Sequence, residues 1–199
     1  MSDYKLPDKN YINEETEKTR IVIGNTFSVD MNHYLGWTKR LNGGFKRTAN
    51  YTVMLDGTVH EHFSPKYYST YLNDKNLNKT SIIILLENQG WLVKDLFDEN
   101  KYISYVGHIY NGSDVTEKRW RNYKYWSTYS ESQMESLSGL VKKLCNDFKI
   151  PLKVVSHNTN FEGVEKYNGI TYRSNFEKFY TDVNPTWDFT KFKDNIELN

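Results

Sequence analysis

The sequence predicts a single mixed α/β domain, a central sheet flanked by helices, and three observations carry the prediction. Ser81 to Glu87 is almost continuously apolar, as expected of a central strand covered on both faces. Met134, Leu137, Val141, Leu144 and Phe148 fall within roughly 80° of arc at helical spacing, behind Ser130-x-x-Gln133, the pattern of a capping box. Elsewhere, short β-branched runs end in Gly or Asn and alternate with helical segments, which is the grammar of a layered α/β fold.

The elements follow in order. Residues 1–19 are polar and charged, contain Pro7, and read as a surface arm that packs loosely before a domain over 20–199. Ile21-Val22-Ile23, ended by Gly24-Asn25, reads as a buried strand delivering a loop, and such loops are where sites sit. Asp30 is placed to cap a helix over 31–41 that stops at Asn42-Gly43-Gly44. Tyr51 to Leu55 and Val59 to Phe63 flank Asp56-Gly57 as a hairpin. Residues 91–126 mix aromatics, charges and turn residues without a period, so they read as an inserted excursion of short elements. Lys153 to Ser156 reads as a late strand ending at His157, followed by an Asn- and aromatic-rich tail.

Composition excludes several functions. Twenty-six Lys and Arg against 25 Asp and Glu leave a net charge of +1, so no global field favours duplex nucleic acid or an anionic membrane. One cysteine, Cys145, excludes an internal disulfide and any zinc knuckle of paired thiolates; beside the apolar arc of the long helix it reads as a buried small hydrophobe. The longest apolar run, Ile82 to Leu86, falls far short of the ~20 residues of a membrane helix, and the charged start lacks the apolar stretch of a secretory signal. The expected location is the cytoplasm of the producing cell, or a virion. Sixteen Tyr, 10 Phe and 5 Trp make 16% of the chain aromatic, which suits a broad polar cleft because most of these rings carry a polar tip.

The order Ile21-Val-Ile-Gly-Asn-Thr26, a helix with Trp37, Asp56-Gly57-Thr58-Val59, Asn78-x-x-Ser81-Ile-Ile-Ile, Tyr129-Ser-x-x-Gln133, Val154-Val155-Ser156-His157 and Asn184-Pro185-x-Trp187-Asp188 resembles the N-acetylmuramoyl-L-alanine amidase family. That family includes phage amidase-type lysozymes and peptidoglycan recognition proteins. The resemblance covers about 20–190, with 91–126 extra, and implies an amidase-like fold. It also implies one zinc ion, held by two histidines and a Cys or Asp, that activates water against the lactyl-amide bond. The three ligand positions fall on Gly24, His157 and Asn184, so only one carries a strong donor; the family's tyrosine position falls near Ala49 or Asn50, and its acidic position on Leu85. Zinc hydrolysis is therefore not expected, and an active form would be a metal-dependent amidase. A rearranged catalytic cluster of His157, Glu87 and Asp182, with His157 and Asp182 on the metal and Asn25 adding a carbonyl, is the alternative that keeps zinc.

Other residues suggest binding. His60 and His62 alternate on the hairpin and read as a solvated or substrate-facing edge; His33 and His108 receive no chemistry. Residues 31–53 contain no acid and interleave Lys39, Arg40, Lys46 and Arg47 with His33, Tyr34, Trp37, Phe45 and Tyr51. Residues 117–126 repeat the pattern with Lys118, Arg119, Arg121 and Lys124 among Trp120, Tyr123, Tyr125 and Trp126. Such stretches hold anions and stack rings, or serve as solvated faces. Asn25, Trp37, Asn50, Arg173, Asn175 and Asn184 are the expected ligand contacts. The predicted function is a phage-type amidase-like protein that binds or cleaves peptidoglycan fragments. The alternative is a non-catalytic protein of the same fold, a virion component or an anti-defence protein sequestering a small nucleotide-type anion.

Overall fold

The computed structural model describes residues 4–112 and 114–197. Five strands, β1 Arg20–Asn25, β2 Tyr51–Val53, β3 Val59–Glu61, β4 Ser81–Leu86 and a later strand β9 Gly169–Tyr172, form one sheet in the order β3-β2-β4-β1-β9. All neighbours are parallel except the β2–β3 hairpin. Every residue of β1 and β4 is buried, which explains why their sequences run apolar without alternating.

Side chains still alternate between two cores. Ile21, Ile23, Ile82, Ile84 and Leu86 face α3 Glu131–Phe148 and α5 Phe189–Glu197, meeting Leu137, Val141, Leu144, Phe192 and Ile196. Val22, Ile83 and Leu85 face the other way, onto Trp37 of α1 Asn32–Lys39 and onto Leu6, Tyr11, Phe63 and Tyr71, with Leu77 of the short helix α2 Lys75–Thr80 packed against them. The N-terminal arm is thus part of a core. Its expected loose packing is corrected by buried Leu6, Asn10 and Tyr11 and by the Asn10 amide, which donates to the carbonyls of Trp37 and Phe45 at 3.3 and 2.9 Å.

Three local expectations change. Asp30 does not cap α1: it takes a left-handed φ of 49° and its backbone N–H donates to Glu87, while Met31 occupies the cap position. Ser130 does cap α3, accepting from the Gln133 N–H at 3.0 Å, but the Gln133 side chain turns inward and donates to the carbonyls of Val53 and Glu87 at 2.8 and 3.0 Å. Half of the capping box is replaced by a tie between the ends of β2 and β4. The stretch Lys153 to Ser156 makes only an isolated bridge, Val154 with Ile170; the strand paired to β1 is β9, whose Gly169 approaches the Lys153 carbonyl closely enough to exclude a Cβ.

The excursion forms a second, antiparallel sheet, β5 Trp91–Lys94, β6 Tyr102–Ser104, β7 Val115–Trp120 and β8 Tyr123–Ser127, in the order β6-β5-β8-β7. Its short strands and the irregularity between Glu117 and Trp120 hide the period-two pattern from the sequence. Asn184 and Asn88 tie it to the first sheet: both side-chain amides donate to the Ser127 carbonyl, at 2.9 and 3.3 Å. Among the described residues no helix is long and apolar enough to cross a membrane.

Candidate functional site

In an open parallel sheet, ligands bind beyond the carboxyl ends of the strands. β1 there reaches Gly24 and Asn25, and the pairing of Ile23 with Tyr172 brings Arg173, the first residue of α4 Arg173–Phe176, to the same end. A Cβ on Gly24 would lie 2.2 Å from the Tyr71 hydroxyl and 3.0 Å from Oδ2 of Asp182. The place of the expected first ligand is therefore filled by other side chains. Asp182 is fully buried and accepts from the Asn25 N–H at 2.9 Å and the Tyr71 hydroxyl at 3.3 Å; its Oδ1 has no partner. Burial raises its pKa, against the lowering pull of Arg173 and of these hydrogen bonds.

Arg173 is the cation of this centre. Nε donates to Glu177 at 2.9 Å and Nη1 to the Tyr71 hydroxyl at 3.4 Å, while the guanidinium lies 3.3 Å from the Tyr180 ring centroid. Burial disfavours its charge, but Tyr71, Asp182 and Glu177 outweigh that and raise its pKa. It stays charged.

The other expected residues are placed as follows. His157 is exposed, with Nδ1 3.0 Å from the Thr159 hydroxyl. Glu87 is buried, and both its oxygens are taken by backbone N–H groups, of Asp30 at 2.6 Å and Leu55 at 2.9 Å, so it pins two loops; burial raises its pKa. His157, Glu87 and Asp182 thus serve three separate sets of partners, and among the described residues no three His, Cys, Asp or Glu side chains form a group able to hold a metal ion. That corrects the rearranged cluster. Asn25 and Trp37 line a cavity, as does Arg173. Asn50 instead bridges strands, accepting from the Ile83 N–H at 2.9 Å and donating to Ser64. Asn175 accepts from the Tyr172 N–H and donates to the carbonyls of His157 and Thr159. Asn184 holds the two sheets together, and its Oδ1 accepts from Thr186. These three asparagines are parts of the scaffold.

His62, just past β3, and His33 of α1 are joined through Thr52 of β2 rather than lying on an exposed edge, which corrects the solvated reading of His62; His60 is half-buried. His62 is fully buried and Nδ1 donates to the Tyr4 carbonyl at 2.7 Å, so Nε2 accepts from the Thr52 hydroxyl at 2.9 Å. Thr52 Oγ1 then accepts from His33 Nε2 at 3.0 Å, and His33 Nδ1 faces the Ser28 hydroxyl at 3.4 Å. Burial pushes the pKa of His33 down to about 3, with His62 and His60 adding to the shift, and that of His62 down to about 4. Both imidazoles are neutral at pH 7. Cys145 is buried, and burial raises its thiol to about 11, so it packs and does not attack.

Three cavities meet at Phe27, whose ring lies against Gly90 where any Cβ would come within 2.4 Å. One of about 460 Å³ runs along α1 past Ser28, His33, Trp37 and Arg40 to Tyr105 and His108. A second of about 200 Å³ includes Asn25, Arg40, Phe45, Arg47, Tyr71 and Arg173. A third of about 220 Å³ lies under the inserted sheet. No acidic residue lines any of them. Sequence reasoning found the basic and aromatic stretches but missed Tyr71, for which no local signal exists: it reaches the site only through the fold.

Zinc can be tested on these donors. Gly24 has no side chain and its space is occupied, the amide oxygen of Asn184 is engaged, and His157 is exposed and bonded to Thr159. Zinc sites use three or four strong donors, so these residues do not fit the ion.

The family model described as N-acetylmuramoyl-L-alanine amidase matches residues 15–169. No curated protein sequence matches the chain. Among solved structures, the chain is similar to the N-acetylmuramyl-L-alanine amidase AmiD from E. coli, solved with the substrate anhydro-N-acetylmuramic acid-L-Ala-D-gamma-Glu-L-Lys, at TM-score 0.58 and 14% identity; the match covers 92% of this chain and 59% of that one. It is also similar to a mutant endolysin from Bacillus subtilis, at TM-score 0.58 and 14% identity over 98% and 99% of the two chains. The catalytic domain of XlyA gives 0.57 and 14% over 96% and 95%. At such identities the structures establish the fold alone; the family model, which matches most of this chain's length, settles the relationship: the chain belongs to the N-acetylmuramoyl-L-alanine amidase family.

Proposed function

We propose that the protein binds a small anionic ligand of the peptidoglycan-fragment class in the cleft at the carboxyl ends of β1, β4 and β9, without zinc-assisted hydrolysis. The observation that carries this is the occupation of the Gly24 side-chain space by Tyr71 and Asp182. A muropeptide offers carboxylates, which Arg40, Arg47 and Arg173 suit, and a sugar ring, which Trp37 and Tyr180 suit. AmiD and AmpDh3 from Pseudomonas aeruginosa were each solved with an anhydromuramoyl peptide, which makes this class the first to test.

The test is calorimetry of the purified protein with an anhydromuramoyl peptide, beside an assay for free amino groups released from peptidoglycan. Binding without release is expected, with and without added zinc. Release that a chelator suppresses, and that His157→Ala abolishes in a folded protein, would overturn the proposal.

A further inference from the structure

The inserted sheet changes the cleft, and its contribution is specific. The 220 Å³ cavity beneath it is walled by Trp91, Tyr105 and Tyr123 from the insert and by Phe27 and Tyr180 from loops beyond the first sheet, with Arg173 among its polar lining. The rings are ordered. Trp91 and Tyr123 stack at 4.3 Å and 11°, Tyr105 meets Trp91 edge-on at 5.4 Å, and Phe27 meets Tyr105 at 6.0 Å. A half-open cavity of this size, bordered by flat faces, has room for one planar ring.

Charge distinguishes the ligand further. The ring cavity and the neighbouring 200 Å³ cavity share Phe27, Arg173 and Tyr180, and the latter adds Arg40 and Arg47. Glu177 pairs with Arg173 at 2.9 Å and with Arg47 at 3.6 Å, but it lies outside both cavities. Arg40 has its guanidinium 5.4 Å from the Phe45 ring and makes no ion pair among the described residues. Stacking faces on one side and several guanidinium groups on the other, with no lining carboxylate, match a ring joined to phosphate.

We propose that this pair of cavities is a nucleoside-phosphate site, the base between the insert's aromatics and Phe27, the phosphates on Arg40, Arg47 and Arg173. The assignment rests on the metal-free anion-binding reading above but puts in place of the peptidoglycan fragment a ligand that carries a nucleotide, either free or linked to an amino sugar. The test is calorimetry of the full chain with ADP, UDP, uridine diphosphate N-acetylmuramic acid, adenosine, inorganic phosphate and the anhydromuramoyl peptide. Nucleotides are expected to bind at least tenfold more tightly than adenosine or phosphate, and the ratio of UDP to its sugar conjugate identifies the source. Tyr123→Ala should weaken nucleotide binding at least fivefold, the lower end of a lost base–aromatic stack. Replacing Arg40, whose side chain makes no hydrogen bond among the described residues, as Arg40→Gln should weaken it about tenfold, both variants keeping the parent's thermal midpoint to within a few degrees. Peptide binding with no nucleotide binding overturns this assignment and leaves the wider proposal standing. Failure of every probe sinks both, and nucleotide binding insensitive to both variants places the ligand elsewhere and overturns the site.

Discussion

The two sheets solve the packing problem in different ways. The first is aliphatic and closed: β1 and β4 are buried on both faces, and their side chains hold two cores apart. The second is aromatic and half open, with Leu92 and Trp126 buried while Val93 stands 45% exposed and Phe97 almost wholly so. A closed sheet gains stability from its residues and can offer only its strand ends to a ligand. An open sheet contributes less to folding and keeps its rings available to line a cavity.

The largest expected effect tests that contrast directly. Ile84→Ala should cost about 2–5 kcal/mol of unfolding free energy, the usual range for emptying a tight core, whereas Val93→Ala should stay within about 0.5 kcal/mol. Urea denaturation of both variants would measure this, and equal losses would break the comparison.

A smaller effect is expected where the first sheet meets the site. Gly24→Ala forces a Cβ toward the Tyr71 hydroxyl and should destabilise by about 1–3 kcal/mol, as overpacking does. Tyr71→Phe removes the clashing oxygen, so the double variant should recover part of that loss; a purely additive double variant would show that the hydroxyl is not the obstacle.

The third effect is one of pH, and it belongs to the contact between α1 and the first sheet. His33 and His62 have folded pKa values of about 3 and 4, below the ordinary histidine value of about 6.5. Their stabilising contribution is therefore complete above about 6.5 and is lost as pH falls through that value toward the folded pKa values, because the unfolded chain binds the protons first. The loss between pH 7 and pH 4 should be on the order of 3 kcal/mol for each histidine. His33→Gln should flatten the slope of urea midpoint against pH; an unchanged slope would remove His33 from the account.

Much of this fold was legible because local rules and tertiary packing agree. The run Ile82 to Leu86 and the arc Leu137 to Leu144 have one apolar solution each, and both take it. The late strand was misplaced because Lys153 to Ser156 and Gly169 to Tyr172 are both short β-branched or aromatic runs, and only pairing with β1 chooses between them. The excursion was illegible because its aromatics pack on one another across strands, Trp91 on Tyr123 and Tyr102 on Tyr125, which leaves no single-strand period to read.

At the site the division is sharper. The chain alone determined that Gly24 carries no ligand, that Asn184 is a poor one, and that Arg and aromatic residues cluster at 31–53 and 117–126. Only the tertiary structure decided what stands in their place. Tyr71 and Asp182 are 111 positions apart, yet share one hydrogen bond beside Gly24, and Glu87 and Asp182 turn away to different partners. Residue type sets what chemistry a side chain can perform; which chemistry it does perform is set by the partners that folding brings within reach, and those come from distant parts of the chain.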